Sequence, residues 1–448
     1  MRRYTIRRSG IRMVAANAMS PSILETYCAR TPASARAHAR AERVMPGGTS
    51  RQAGYWPPYP LTLTRGQGAC VDDLDGHRYL DLICNYTALV HGHAYPPIVE
   101  AAKRQIADGT CWPAGNEAQS ALATRLVERV DGIEQVRFTN SGTEAAALAF
   151  SIARLITGRQ KLLMARFGYH GSLLEFECGS FGREGPLTVL ASYNDLADFR
   201  NALDRHGDDI AAVFIEPVLG SGGVQPASPG FLHGVQQAAR DCGALFVLDE
   251  VLTLRFAQGG CQTRYGLTPD LSMFGKMIGG GFPVGAVGGS RSIMSVFDPA
   301  DLRLFHTGTF NANPVTMTAG EIALAELTPA RIAEMANRCE ELRCGLHDIA
   351  QRQGLPLTTN VFESCLNLYF SDVAPASSVV RTDTALITDF HLAALNHGLL
   401  VAPRGMIALS TVITRAHIDE ALERSEAAMR DVSEALCGRP KRAAQGGR

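Results

Sequence analysis

Lysine is nearly missing from this chain. Among 448 residues there are four, Lys103, Lys161, Lys276 and Lys441, against 39 arginines. Net charge is missing as well: 43 basic residues meet 44 acidic ones, for a formal charge of −1. That balance gives no support to binding nucleic acid or a membrane surface through a charged face, so neither is expected as a partner. No apolar run reaches the roughly 20 residues that span a bilayer. The eleven cysteines form no CxxC pair and no metal-spaced set with histidine. No metal site is therefore expected, and an odd, unpatterned count suits a reducing cytoplasm. Acid is absent from the first 24 residues, which carry Arg2, Arg3, Arg7, Arg8 and Arg12. They lack the apolar core of a secretion signal. We read residues 1–19 as a disordered extension, with Met13 or Met19 as alternative starts. Residues 437–448, rich in glycine and basic groups, are read as a disordered tail.

What is present is a large soluble core, with hydrophobic residues at 46%. The middle of the chain alternates short apolar runs with longer amphipathic ones. Val136–Thr139, Ala211–Ile215 and Ala244–Leu248 read as strands, and Glu144–Ile156 and Phe231–Asp241 as helices. That alternation argues an α/β fold with a mostly parallel sheet flanked by helices. We expect a large domain at 82–325. A small α+β domain is expected from 20–81 together with 326–436.

A chain that avoids lysine should keep one only where arginine cannot serve. Lys276 lies in an apolar, glycine-rich stretch, Leu271 to Gly289, with no other charge. An amine there is costly to bury as a cation, so its pKa falls and it becomes nucleophilic. An amine can form a Schiff base, whereas a guanidinium cannot. The ordinary alternative is a lysine snorkelling from a strand end.

Four other segments could carry chemistry. Thr139-Asn-Ser-Gly-Thr-Glu144 ends a strand and opens a helix, so Ser141, Gly142 and Thr143 offer donors suited to a phosphate, or form a plain N-cap. Phe167-Gly-Tyr-His-Gly171 is a tight turn in which Tyr169 could stack on a flat ring. Asp249 closes the apolar strand before Glu250-Val251; a carboxylate there could keep a pyridinium nitrogen protonated. His306 to Pro314 is a small-residue loop able to add a hydroxyl. Each has an ordinary structural reading when taken singly. Their order is more telling: a phosphate cup, a stacking aromatic, an Asp after a strand, then a Lys 27 positions later after the next strand. Together these are the parts of a pyridoxal 5′-phosphate site.

On Asn140-Ser-Gly-Thr-Glu-Ala145, Tyr169-His-Gly171, Glu216-Pro217, Asp249-Glu-Val251, Gly275-Lys276 and Gly308-Thr309, the chain resembles the class III, fold-type I pyridoxal-phosphate aminotransferases. The resemblance runs from about Arg43 to about Glu434. It implies that Ser141, Gly142 and Thr143 bind the phosphate and that Tyr169 lies against the ring. It also implies that Asp249 pairs with the ring nitrogen, that Val251 packs on the opposite face, and that Lys276 carries the Schiff base. His170 and Glu216 join the cofactor set through their motifs. Thr309 is similar to a threonine that reaches the neighbouring subunit's cofactor, which implies a homodimer with shared sites.

Two branches resemble the chain most. Met45-Pro-Gly-Gly48 is similar to glutamate-1-semialdehyde aminomutase. Pro46-Gly-Gly-Thr-Ser-Arg51, Asn85-Tyr-Thr87 and Ala402-Pro-Arg-Gly-Met406 are similar to the β-amino-acid, especially β-phenylalanine, aminotransferases. The aminomutase usually lacks arginine at the place of Arg404. The resemblance therefore implies transfer of an amino group from a β-amino acid or related amino acid to an α-keto acid, such as 2-oxoglutarate or pyruvate. An aminomutase or other isomerase is the alternative. Arg51 and Arg404 are candidates for gripping substrate carboxylates, a task that suits the bidentate guanidinium. Tyr86 and the aromatic Tyr55-Trp-Pro-Pro-Tyr59 are expected either to line the side-chain pocket or, for the latter, to form a packed turn.

Overall fold

The structure is a computed structural model and describes residues 19–373 and 384–437. The extension read at 1–19 lies outside these residues save for Met19, which is buried. The tail lies outside them save for Cys437, which ends a helix.

Three strands come first: β1 (Leu63–Gln67), β2 (Cys70–Asp73) and β3 (Arg78–Asp81). The central sheet follows, built from β4 (Gln135–Thr139), β5 (Lys161–Ala165), β6 (Thr188–Ala191) and β7 (Ile210–Ile215). After a short hairpin of β8 (Val218–Leu219) and β9 (Gln225–Pro226), it is completed by β10 (Leu245–Asp249), β11 (Leu271–Gly275) and β12 (Gly285–Gly289). Its seven strands lie in the order β4-β12-β11-β10-β7-β5-β6. Only β12 runs against its neighbours. The chemistry of β7 explains its place. Ile-Ala-Ala-Val-Phe-Ile has no polar residue and is buried throughout, as a strand covered on both faces requires.

Helices cover both faces. Gly142–Thr157 follows β4. Ser141 caps it by accepting from the Glu144 N–H at 3.1 Å, and Gly158 ends it with φ at 71°. A cap of this kind contributes about 1 kcal/mol. The inner face of this helix carries Ala145, Ala146, Ala149 and Ala153, all fully buried, which lets its backbone lie close to the sheet. Phe231–Asp241 covers the other face through Phe231, Leu232 and Val235.

The remaining strands are β13 (Thr358–Phe362), β14 (Cys365–Tyr369), β15 (Leu399–Leu400) and β16 (Met406–Ala408). β15 pairs in parallel with β3, tying the two ends of the chain together. One apolar cluster joins Ile23, Tyr27 and Trp56 to Leu346, Phe390 and Leu399. A seven-stranded, mostly parallel sheet flanked by helices is the α/β architecture expected from the sequence. No helix among the described residues is long and apolar enough to cross a membrane.

Candidate active site

The parallel strands of the central sheet end on one side, and the polar groups singled out in the sequence lie just past those ends. This is where open α/β sheets place their ligands. β4 leads into Ser141–Thr143, β5 into Tyr169 and His170, and β7 into Glu216. Asp249 is the last residue of β10, and Lys276 directly follows β11.

Asp249 is buried and held from two sides. Its Oδ2 lies 2.7 Å from His170 Nδ1, and its Oδ1 accepts from the Val251 N–H at 2.9 Å. Burial works to lower the His170 pKa, but the bond to Asp249 and the charges of Asp249 and Glu216 carry it above the ordinary value. His170 Nε2 is buried without a hydrogen-bond partner. Glu216 accepts from the N–H groups of Tyr169 at 2.8 Å and Gly220 at 3.1 Å. Burial pushes its carboxyl up to about 7.

Lys276 is partly accessible, yet its amine is desolvated by the protein around it, and its pKa falls for that reason. Asp249 and Glu216 pull the other way. Its backbone sits in the left-handed region, with φ at 51°, a conformation that costs a non-glycine residue about 1–2 kcal/mol. Gly275 before it leaves room for Val251, whose Cγ1 would lie 3.3 Å from a Cβ there.

The candidate phosphate cup at Ser141–Thr143 is shaped by small residues. A Cβ at Gly142 would touch Val251 at 3.4 Å, and one at Gly171, where φ is 108°, would strike Thr143 at 2.7 Å. A Cβ at Gly285 would meet the Ser141 carbonyl at 2.0 Å. The helix behind the cup runs for 16 residues, and its first turn points its positive end and N–H groups without intrahelical acceptors toward the cup. Tyr169 is exposed despite its ring, with its hydroxyl 3.2 Å from Ser172 Oγ.

These features fit pyridoxal phosphate. Ser141, Gly142 and Thr143 could take the phosphate, the desolvated Lys276 amine the aldehyde and buried Asp249 the ring nitrogen, with Tyr169 and Val251 available to its faces. Thr309 stands apart. It is exposed, and its carbonyl accepts from Cys111 Sγ at 3.7 Å.

At the outer end, Arg51 Nη1 donates to Asn85 Oδ1 at 2.7 Å, and its guanidinium lies 5.8 Å from the Tyr86 ring. Burial raises the Tyr86 pKa, and the charges of Arg404 and Arg51 oppose that rise. Arg51 thus lies against the turn that carries Tyr86. Arg404 also donates to the Ser221 carbonyl at 3.1 Å. Tyr86 belongs to a run of four non-glycine residues, Cys84, Asn85, Tyr86 and Thr87, with φ of 49, 50, 54 and 75°. At about 1–2 kcal/mol each, that turn needs strong support from its surroundings.

Tyr55–Tyr59 proves to be a packed turn. Trp56 is buried, donates to the Tyr27 hydroxyl at 3.2 Å and lies edge-on to His391. Tyr59 packs on Tyr27, with ring centroids 5.5 Å apart. Arg255 went unnoticed in the sequence. It is fully buried and donates to Ser364 Oγ at 3.2 Å, to the Thr87 carbonyl at 3.4 Å and to the Leu409 carbonyl. A lone charge inside Leu252-Thr-Leu-Arg-Phe256 was the available signal.

Comparison with known proteins gives the family. The family model of aminotransferase class III matches residues 52–178 and 185–429. The chain belongs to the class III aminotransferases. It is a pyridoxal-phosphate-dependent transaminase. This aminotransferase is 40% identical to the β-phenylalanine transaminase of Variovorax paradoxus, over 87% of this chain and 90% of that one. It is 37% identical to a glutamate-1-semialdehyde 2,1-aminomutase of Geobacillus kaustophilus, over 90% and 98%. An omega-transaminase from Sphaerobacter thermophilus superimposes with a TM-score of 0.86 at 39% identity, over 89% of this chain and 98% of that one. A transaminase solved with pyridoxal phosphate bound gives 0.85 at 32% identity, over 90% and 98%.

Proposed function

We propose that this aminotransferase moves the amino group of a β-amino acid, or a related amino acid, to an α-keto acid such as 2-oxoglutarate or pyruvate. The observation that carries this reading is the setting of Arg51, whose guanidinium donates to Asn85 Oδ1 at 2.7 Å and lies 5.8 Å from the Tyr86 ring, with Arg404 as the second candidate. A transaminase accepts two carboxylate substrates in turn, and two guanidinium groups supply a grip for each. The likeness to the β-phenylalanine transaminase supports the same choice.

When bound, pyridoxal phosphate supplies a protonated ring that accepts the electron pair left as a proton leaves the substrate carbon. In this reading Ser141, Gly142 and Thr143 hold the phosphate, while Tyr169 and Val251 flank the ring. Asp249 stabilises the charge on the ring nitrogen, and His170 and the Val251 N–H fix its carboxylate in one orientation. Glu216 anchors the turn that carries Tyr169. Lys276 would attach the cofactor, and its desolvated Nζ, once free, would be the group that moves a proton at the substrate carbon, a role its lowered pKa suits.

A large domain at 82–325 would then bear the cofactor, and the pieces at 20–81 and 326–436 would bring Arg51 and Arg404 to it. A homodimer completes the proposal. Thr309 is exposed on a loop that also exposes Leu302, Phe305 and Phe310, an apolar surface suited to a second copy. The cysteines whose side chains are described are free, which is compatible with a cytoplasmic location.

The test is to profile amino donors with Arg51→Met and Arg404→Met beside the parent. A charge-assisted grip predicts that Arg51→Met raises KM for β-phenylalanine by about 10- to 100-fold with kcat little changed. Arg404→Met should raise KM for the keto acid by a similar factor. Unchanged KM in both variants would remove the assignment.

A further inference from the structure

Four consecutive residues in the left-handed region, none of them glycine, do not hold themselves in place. The support for Cys84–Thr87 comes from Asp81, the buried last residue of β3. Its Oδ1 accepts from the N–H groups of Ile83 at 2.7 Å and Cys84 at 3.2 Å, just where the chain enters the turn. Its Oδ2 lies 2.6 Å from His93 Nε2. His93 is itself fixed. Its backbone N–H and carbonyl both pair with Gly68 at 2.8 Å. Its ring lies over Gly66, where a Cβ would come within 2.6 Å of Nδ1, so only glycine fits beneath it. The far end of the turn is held by Arg255, which donates to the Thr87 carbonyl. Between these anchors the turn presents two side chains to the segment that carries Arg51. Asn85 Oδ1 accepts from Arg51 Nη1, and the Tyr86 hydroxyl donates to the Ala53 carbonyl.

We propose that His93 and Asp81 are positioning residues for the substrate carboxylate. Through one continuous chain of contacts they hold the left-handed turn, and the turn sets the direction of Arg51. Both act through Arg51, with hydrogen bonds to the turn and to each other. A guanidinium on a long, exposed side chain otherwise samples many rotamers, and orienting it beforehand removes that entropy from the binding step. The proposal rests on the reading of Arg51 as a carboxylate-binding residue.

The experiment is a double-mutant cycle on the purified, cofactor-loaded enzyme, using the amino donor that converts the parent fastest. His93→Leu removes the hydrogen bond to Asp81 while keeping bulk, His93→Gln restores an N–H donor, and Arg51→Met removes the guanidinium. The expected result is a donor KM about tenfold higher in His93→Leu, with kcat and the cofactor's absorbance within about twofold of the parent. His93→Gln should recover most of the loss. In the Arg51→Met background His93→Leu should add less than about twofold, because its effect passes through a group no longer present. If His93→Leu does not accumulate as folded protein, His93→Asn, too short to reach Asp81, takes its place. Three results overturn the proposal: an unchanged donor KM in His93→Leu, the same KM factor with and without Arg51, or a fall in kcat and cofactor retention that accompanies the KM change. An Arg51→Met enzyme with parental KM would instead strike at the carboxylate reading itself, whatever His93 does.

Discussion

Lys276→Ala is expected to lose transamination by about four orders of magnitude or more, since the variant gives up both the covalent attachment and the proton-transferring amine. Lys276→Arg should be as inactive. The guanidinium keeps the positive charge and most of the bulk, but it neither forms a Schiff base nor loses a proton near neutrality. The scarcity of lysine makes a stringent control possible. Lys103 pairs with Glu100 at the surface, Lys161 pairs with Asp209, and Lys441 belongs to the last dozen residues. Replacing all three with arginine leaves Lys276 as the single lysine. That enzyme should keep a rate within about twofold of the parent, as surface substitutions rarely disturb a distant site. Rates measured with the best donor and a keto acid decide the matter. Activity surviving in Lys276→Ala would overturn the assignment.

Asp249→Asn is expected to be the second most damaging change, lowering kcat by about 10²- to 10³-fold, the range for removing one preorganised charge from a transition state. Asparagine keeps an oxygen for the Val251 N–H, so the turn after β10 should survive and cofactor retention should change far less than kcat. A companion effect has a definite sign. The Asp249 hydrogen bond and charge raise the His170 pKa against burial. Without that charge, burial dominates and the pKa should fall, which the imidazole resonances in a pH titration would report. A kcat within about threefold of the parent would show that the charge at Asp249 contributes little.

The central site was legible because its parts follow one another along the chain in the order in which a parallel sheet presents them. β4, β5, β10 and β11 each end in a residue or turn that the sequence already marked by type, whereas Glu216 after β7 entered only through the resemblance. Once the strands are parallel, their ends meet. The helix at Phe231–Asp241 was readable for a local reason, an apolar stripe at helical spacing. What could not be read depends on distant partners. Nothing in Leu399–Leu400 announces that it will lie beside β3, more than 300 residues earlier. Cys84-Asn-Tyr-Thr87 contains no glycine, so no local signal marks its left-handed turn, which is imposed by Asp81 and Arg255. Trp56 and Tyr59 have the composition of a pocket lining, but Tyr27 and His391 claim them for the core. Arg255 has backbone carbonyls among its partners, and those leave no trace in residue type.

In a transaminase the amino group leaves the donor for good and is collected later by a keto acid. The most direct measurement mixes the purified, cofactor-loaded enzyme with β-phenylalanine and no keto acid, and follows the cofactor's absorbance together with the amount of donor consumed. The account predicts one donor consumed per subunit, a complete change of the cofactor spectrum, and then no further reaction until 2-oxoglutarate or pyruvate is added. Steady turnover with no acceptor present would mark an isomerase, and no spectral change with any amino donor would contradict the transaminase reading outright.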